Sequence, residues 1–234
     1  MSLSSKSPRR SPASIEQVQL IGVAGSVQAP FERCVFVNCP FDNDYLPLLH
    51  AMAFAIHDCG FIARLAVEDT GASEMRIDKI LRIIRESCYS IHDISRVELS
   101  GSSKLPRFNM PFEAGLAMGA IRFGGTGHVP RDFLLLDEVP FRDKQTLSDL
   151  AGQDPKTHGN DPRRMVSAVR SFLSAKAGTG KRTRGADAIW RRFEKFNATL
   201  PALVRRLEIS EKEIVSFDYL PDWISVMSTW VAAK

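Results

Sequence analysis

The sequence predicts an α/β fold in which a parallel β-sheet is covered by helices on both faces. Short apolar or β-branched runs alternate with longer segments of helical periodicity, and the connections between them are short. Parallel strands joined by crossover helices form such a sheet. The predicted strands cover 34–39, 61–67, 88–95 and 132–137, and the predicted helices between them cover 45–60, 75–87 and 109–124.

The first strand and the first helix have clear boundaries. CVFVNC (34–39) is a short apolar run that is followed by Pro40 and Asp42, which is typical of a buried strand. YLPLLHAMAFAIHDCG (45–60) has apolar residues at helical spacing and stops at Gly60, a residue type that often ends helices. The pattern therefore predicts a strand followed by its crossover helix.

The next elements continue the alternation. FIARLAV (61–67) predicts a second strand, and CYSIHDIS (88–95) predicts a third strand that runs into a polar turn. Between them, MRIDKILRIIRES (75–87) is amphipathic, so its apolar stripe should face the core. That stripe consists of Ile77, Ile80, Leu81 and Ile84.

The alternating region ends with one more helix and one more strand. NMPFEAGLAMGAIRFG (109–124) predicts a helix that starts near Pro111, a favoured first-turn residue, and DFLLLD (132–137) predicts the fourth strand. The following residues, 143–160, are polar and have little hydrophobic periodicity, so we expect a solvated surface loop. The alternative is a lid that carries three side chains toward a pocket, namely Asp149, Asp154 and His158.

The sequence divides into three predicted regions. Residues 1–30 are rich in Ser, Pro and Arg and are expected to form a flexible N-terminal tail. Residues 31–160 form the α/β domain. Helical patterns recur in residues 161–234, where a helix over 186–207 has apolar side chains along one side, so we expect a helical extension that packs on the same domain.

Composition and charge exclude several classes of protein. The 234 residues are 44% hydrophobic and 25% charged, as in ordinary globular proteins. No apolar run approaches the roughly 18 residues that a membrane span needs, and the N-terminus lacks the apolar core of a signal peptide, so we expect a cytoplasmic location. The net charge of +4 is mild. Basic clusters such as 176–184 would suit a phosphate-bearing partner, but solvated surfaces fit better, and direct nucleic-acid binding is not favoured.

The four cysteines are expected to be buried thiols. They lie in or beside apolar runs, and their spacing matches no zinc pattern, so no metal site is predicted. They are Cys34, Cys39, Cys59 and Cys88.

Polar residues gather where the predicted strands end. Ligands of open parallel sheets bind beyond the carboxyl ends of the strands, and these positions define the candidate site. The candidate catalytic residues are Asp93 and Glu113. The candidate substrate-binding residues are Asn38, Pro40, Phe41, Asp42, Glu68, Ser95, Arg96, Arg107 and Asn109.

Glu113 is the most site-like of these residues. We expect it in the first turn of its helix, where the helix dipole and unpaired N–H groups stabilise a negative charge. Its neighbours are small, so the helix could approach the sheet closely; they are Ala114, Gly115, Ala117 and Gly119. A carboxylate in that position suits nucleophilic attack or stabilisation of a cationic sugar carbon. The alternative is that Glu113 is only a favourable first-turn acid.

The sequence lacks the motifs of several common enzyme classes and binding sites. No Gly-x-Ser-x-Gly elbow is present and Cys39 has no evident base, which disfavours acyl transfer. AGTGKRT (177–183) lacks the first glycine of a phosphate-binding loop and follows no strand. No GxGxxG follows the first strand, which argues against a dinucleotide redox enzyme. His50 and His57 are seven residues apart, too far for a metal-binding pair on a helix.

Three segments resemble the nucleoside 2-deoxyribosyltransferases. VFVNCPFDNDY (35–45) resembles the opening strand and Pro-Phe turn of that superfamily, and FNMPFEAGLAMG (108–119) resembles its helix whose glutamate attacks the anomeric carbon. YSIHDIS (89–95) is similar to its strand that ends in an aspartate contacting the nucleobase or ribose. TIR-type NAD hydrolases have a glutamate on a comparable helix. The resemblance covers roughly residues 34–137 and departs at NMP (109–111), where the transferases have a Ser/Gly-Thr stretch.

The resemblance implies a flavodoxin-like (Rossmann-like) three-layer sandwich with added C-terminal helices, and N-glycosidic bond chemistry. Glu113 would act as nucleophile or as the anion that stabilises an oxocarbenium-like centre. Asp93 and Asp42 would hold sugar hydroxyls or the base edge, and Asn38 and Asn109 would supply amide hydrogen bonds. The implied substrate is a nucleotide, NAD or a nucleoside, without a cofactor, and a homo-oligomer is left open. Such domains often act as nucleotide-depleting effectors in bacterial defence.

Two further hypotheses stay open. A non-catalytic sensor would bind a nucleotide in the same pocket and would use the C-terminal helices to oligomerise or to engage a partner. A phosphoribohydrolase-type enzyme would need a glycine-rich phosphate loop, and only GGTG (124–127) comes near one.

Overall fold

The computed structural model describes most of the chain after the predicted N-terminal tail. The described residues are 29–68, 71, 73–96, 108–124, 130–142, 147–150, 152–178 and 182–233. Within these ranges, no helix combines the length and the apolar character that a membrane span requires.

Five parallel strands form one open sheet. They are β1 (Cys34–Asn38), β2 (Ile62–Arg64), β3 (Tyr89–Asp93), β4 (Asp132–Asp137) and β5 (Lys156–Thr157). Their order across the sheet is β2-β1-β3-β4-β5, which is the flavodoxin-like order and places a topological switch point between β1 and β3. The predicted α/β fold with a central parallel sheet is confirmed.

Helices cover both faces of the sheet. The described residues contain α1 (Leu46–Asp58), α2 (Arg76–Glu86), α3 (Asn109–Phe123), α4 (Pro162–Ser174), α5 (Ala186–Val204), α6 (Glu211–Ile214) and α7 (Leu220–Ala232). α1 and α4 pack together on one face, and α2 and α3 pack together on the other. The side chains of β1 alternate accordingly: Val35 and Val37 belong to the core beneath α1, and Phe36 belongs to the core beneath α2 and α3.

α1 is apolar around almost its whole circumference, and the C-terminal helices explain why. The sheet covers one side of α1, while α4, α5 and α7 contact its other sides. The ring of Phe54 lies 5.3 Å from that of Phe193, 5.9 Å from that of Phe196 and 6.0 Å from that of Trp230, between centroids. A helix that is hydrophobic all round must be buried on all sides, so residues after 160 complete the core.

The predicted apolar stripe of α2 is wrong at two of its four positions. Ile80 and Ile84 are buried, together with Ile83, whereas Ile77 is 36% exposed and Leu81 is 39% exposed. The helix is rotated so that Ile83 occupies the core position expected for Leu81. Apolar side chains therefore remain on the outer side of α2.

β5 was not predicted, because residues 143–160 were expected to be a solvated loop. Lys156 and Thr157 pair with Leu136 and Asp137 of β4, and the backbone N–H of His158 donates to the carbonyl of Asp137 at 3.0 Å. A two-residue strand made of Lys and Thr has no hydrophobic pattern, so only its pairing with β4 defines it.

Candidate active site

The candidate site lies at the switch point between β1 and β3. Asn38, the last residue of β1, is paired with His92, and Asp93 ends β3. α3 packs against both strands and has Glu113 among its buried residues. Ligands of open parallel sheets bind at this position. Both predicted catalytic residues, Asp93 and Glu113, therefore lie where such a ligand is expected.

Cys39, the residue after β1, shows how closely the predicted carboxylates gather. Burial raises the pKa of its thiol well above the ordinary value, and the negative charges of Asp93, Glu113 and Asp42 raise it further. A thiol in such surroundings stays protonated and is a weak nucleophile. The electrostatics of the site therefore give no support to covalent catalysis by Cys39.

Glu113 lies at a buried position of α3, and its carboxyl group has no partner among the described residues. The residue is only 5% exposed. Its carboxyl group makes no hydrogen bond or ion pair with any residue that the structure describes. Burial raises the pKa of this carboxyl group above its usual value, while the positive charge of Arg76 lowers it. Burial thus disfavours the ionised form of Glu113, and the charge of Arg76 offsets part of that effect.

The prediction that Glu113 lies in the first turn of its helix is wrong. α3 begins at Asn109 rather than near Pro111, so Glu113 falls one turn further in and the first turn contains no acidic residue. The helix dipole acts mainly within that first turn. Arg76, at the first residue of α2, is therefore the positive charge that favours ionised Glu113.

Asn38 fastens α3 to the sheet. Its amide nitrogen donates to the carbonyl oxygen of Met110 at 2.8 Å and lies 3.1 Å from Nδ1 of His92. Burial lowers the pKa of His92 to about 3, so the ring is neutral. Because Nδ1 faces an amide donor, the ring proton lies on Nε2, which is 2.8 Å from Oγ of Ser90. This hydrogen-bond chain positions the helix that carries Glu113.

Asn38→Ala should destabilise the protein by about 2 kcal/mol, because it leaves the Met110 carbonyl and Nδ1 of His92 without a donor in a buried site. Urea unfolding followed by circular dichroism measures the change. Asn197→Ala, at an exposed position of α5, is the control and should leave the free energy of unfolding nearly unchanged. Equal effects of the two substitutions would contradict the anchoring role of Asn38.

The Asp93 carboxylate is enclosed by protein groups on both oxygens. Oδ1 accepts a hydrogen bond from the backbone N–H of Ser95 at 2.9 Å, Oδ2 accepts one from the hydroxyl of Tyr45, and Nε2 of His158 lies 3.1 Å from Oδ2. The backbone N–H of Asn160 donates to Nδ1 of His158, so Nε2 of that ring carries a proton; Nε2 lies close to Oδ2 of Asp93 without the alignment of a hydrogen bond. Asp93 thereby links β3, the start of α1 and the segment after β5.

Tyr45 is a site residue that sequence reasoning missed, and His158 was named only in the alternative of a lid that carries it toward a pocket. His158 is 1% exposed, because β5 docks the preceding residues on β4. The expectation of a solvated loop is therefore wrong at His158. The sequence signal that could have favoured a fixed, buried position for His158 is the turn GND (159–161), which precedes Pro162 at the start of α4 and fixes where the chain reverses.

The turn after β1 connects the other predicted binding residues. Oδ1 of Asp42 lies 3.1 Å from Nη2 of Arg96, so an ion pair links the turn after β1 to the turn after β3. Phe41 is half-buried and lies under the guanidinium group of Arg76, 5.9 Å from the ring centroid. Pro40 is buried beside them. Arg76 thus contacts the turn after β1 and also acts on the Glu113 carboxyl group.

Two predicted binding residues, Glu68 and Asn109, do not join this cluster, and a third cannot be placed in it or outside it. Glu68 forms an ion pair with Arg64 at 2.9 Å and lines a cavity of about 770 Å³ at the edge of the sheet beside β2, together with Pro221. Asn109 is exposed at the first residue of α3. Arg107 lies outside the described residues.

No protein-family model matches the chain, and no curated protein or solved structure matches it at a significant level. In the described ranges, no group of three His, Cys, Asp or Glu side chains is arranged to hold a metal ion. A buried carboxylate without a partner can stabilise a cation that enters the site, or it can attack an electrophilic carbon.

Proposed function

We propose that the chain cleaves the N-glycosidic bond of a nucleotide, NAD or a nucleoside, with Glu113 acting on the anomeric carbon. The observation that carries the proposal is the Glu113 carboxyl group itself, which is buried at the switch point and has no partner among the described residues. The free-energy cost of burying this carboxylate in its ionised form is offset when a bound substrate supplies positive charge. The resemblance to nucleoside 2-deoxyribosyltransferases and TIR-type NAD hydrolases supports the same reaction.

The reaction would proceed through an oxocarbenium-like sugar. As the bond between C1′ and the base nitrogen breaks, its electron pair leaves with the base and positive charge develops at C1′. The ionised Glu113 carboxylate stabilises that charge, or it bonds to C1′ and forms a glycosyl ester. Water then adds to C1′ and gives a proton to solvent, which yields the free sugar. In the covalent route the bond between C1′ and the Glu113 oxygen breaks as water adds, and this regenerates the carboxylate.

The other carboxylates of the site narrow the choice of substrate. Of the three that act on Cys39, Asp93 is enclosed by protein groups and Asp42 is paired with Arg96, so neither is placed to protonate a leaving base. A base that leaves as a neutral molecule needs no such proton. NAD is a substrate of this kind, because its nicotinamide nitrogen is positively charged before the bond breaks, and we therefore place NAD first.

Base release from purified protein tests the proposal. The chain is incubated with NAD and with a panel of nucleosides and nucleotides, and products are separated by chromatography. We expect free nicotinamide from NAD and much less free base from neutral nucleosides. If no substrate releases base while equilibrium dialysis shows bound, intact nucleotide, the protein is a sensor and the enzymatic proposal is wrong.

The pH dependence of this activity should report the ionisation of Glu113. Activity requires the ionised form, so it should fall as the pH decreases through the raised pKa of Glu113, above the usual value of 4.5. Arg76 lowers that pKa, so Arg76→Gln should move the acidic limb of kcat/KM to higher pH. Arg85→Gln, at an exposed position of the same helix, should leave the limb in place. An acidic limb that stays unchanged in Arg76→Gln would contradict this assignment.

A further inference from the structure

We infer that the outer face of α3 is the contact surface of a homodimer. Phe108, Phe112 and Phe123 are 68%, 58% and 89% exposed. With about 100° between successive helical residues, these positions fall, together with Gly115 and Gly119, within about 80° of arc along the whole helix. We call these five residues the Phe-Gly face. The buried residues of α3 lie on the opposite side, so this inference does not depend on the proposed function.

Nothing within the described chain requires the two glycines of this face. A Cβ atom at Gly115 would meet nothing within 4 Å, and one at Gly119 would meet only the Phe123 ring at 3.9 Å. The prediction that they let α3 approach the sheet is wrong, because Ala114 and Ala117 are the small residues buried against it. Glycine inside a helix costs about 1 kcal/mol relative to alanine. A second helix crossing at this point would account for both glycines, because it could approach closely.

The Phe-Gly face is complementary to a second copy of itself. In an antiparallel pair of α3 helices related by a two-fold axis, each contact occurs twice. When the axis passes beside Gly115, Phe112 lies over the partner's Gly119, and Phe108 lies over the partner's Phe123. Each large ring at position 112 therefore meets a position without a side chain, and the rings at the two ends stack on each other.

Charge also favours the antiparallel arrangement. Arg122 is exposed beside the Phe-Gly face, and the antiparallel register places it opposite the partner's Asn109. The two copies of Arg122 then lie at opposite ends of the contact. A parallel pair would bring the two guanidinium groups together, and such like-charge contacts are unfavourable.

The three exposed rings supply about half of the area that a standard interface buries in each partner. A phenylalanine side chain can bury about 150–250 Å², so the three rings offer about 400 Å² in each copy. α2 packs beside α3, and three exposed apolar side chains lie on it or directly before it: Met75, Ile77 and Leu81. Apolar patches of this size mark interaction sites on monomers, and a standard interface buries about 800 Å² per partner. Because the Phe-Gly face is also complementary to itself, a second copy of this chain is the occupant.

Sedimentation velocity over a series of concentrations tests the dimer. Wild type should form dimers, and Phe112→Glu should weaken the association at least about thirtyfold, since a central aromatic side chain is lost and a charge is buried. Phe141→Glu is the matched control, because Phe141 is 70% exposed after β4 and lies off the Phe-Gly face. A wild-type chain that stays monomeric, or equal effects of the two substitutions, would overturn the inference.

Disulfide trapping tests the register even if Phe112→Glu does not fold. All four natural cysteines are buried, so a cysteine placed at an exposed position should react first. Phe108→Cys and Phe123→Cys should each give little cross-linked dimer alone, because identical positions lie a helix length apart. An equal mixture of the two variants should give cross-linked heterodimer. Self-cross-linking without cross-linking in the mixture would show that this register is wrong.

Discussion

Glu113→Gln should lose base release by at least about a thousandfold and should be more stable than wild type at neutral pH. The amide keeps the shape of the side chain but neither attacks nor stabilises a cationic carbon, and removing a group that acts on the reacting atoms commonly costs this much. Stability should rise because burial disfavours the ionised carboxyl group, and the desolvation of a neutral amide costs less than that of a charge.

The gain in stability should depend on pH in a defined direction. The folded-state pKa of Glu113 is raised above the ordinary value of 4.5. Below 4.5 the carboxyl group is protonated in both the folded and the unfolded chain, so its ionisation costs nothing. As the pH rises from 4.5 through the folded-state pKa, ionisation of Glu113 lowers the free energy of unfolding of wild type, whereas the variant has no carboxyl group to ionise. Urea unfolding should show a gain on the order of 1 kcal/mol at neutral pH that shrinks near about pH 4.

Glu194→Gln is the control for this experiment. Glu194 is exposed on α5, so its substitution should change neither base release nor stability. If Glu113→Gln released base as fast as wild type, the assignment of Glu113 would be wrong even though the protein is an enzyme. If the variant lost activity and stability together, Glu113 would have a structural role instead.

The sheet could be predicted from the sequence because its strands carry their own pattern. CVFVNC (34–39) gave β1 to within one residue, and DFLLLD (132–137) gave β4 with both ends correct. Ligands bind at the carboxyl ends of parallel strands, and this general rule predicted Asn38, Asp93 and Glu113 as residues of one site. The structure places all three at the switch point, so topology alone located the centre of the candidate site.

What could not be predicted depends on contacts between segments that are far apart in the chain. His158 reaches Asp93 because a two-residue strand docks on β4, and no local pattern specifies that pairing. Asn38 was expected to contact a substrate, but its amide nitrogen is already engaged by Met110. The rotation of α2, which leaves Ile77 exposed, is likewise set by its packing against β1 and α3 and not by its own periodicity.

Asp58→Asn should destabilise the protein by about 3 kcal/mol, the largest loss we expect from a single polar substitution. The Asp58 side chain is completely buried at the end of α1, and Nε of Arg192 on α5 donates to it at 2.6 Å. The Arg192 guanidinium also lies 5.2 Å over the ring of Trp230. Removing the carboxylate leaves that arginine charge mostly buried and uncompensated, which costs more than the ion pair itself contributes.

Urea unfolding of a matched substitution shows whether the loss comes from removing a buried carboxylate or from removing any negative charge. Asp187→Asn removes the same charge from an exposed ion pair with Arg163, and it should give no measurable change, because solvent screens such pairs. Arg192→Met combined with Asp58→Asn should recover part of the loss, since no buried charge then remains unpaired. If the double variant is less stable than Asp58→Asn alone, the cost lies in lost packing of the arginine stem against Trp230 and α1, and not in an unpaired charge.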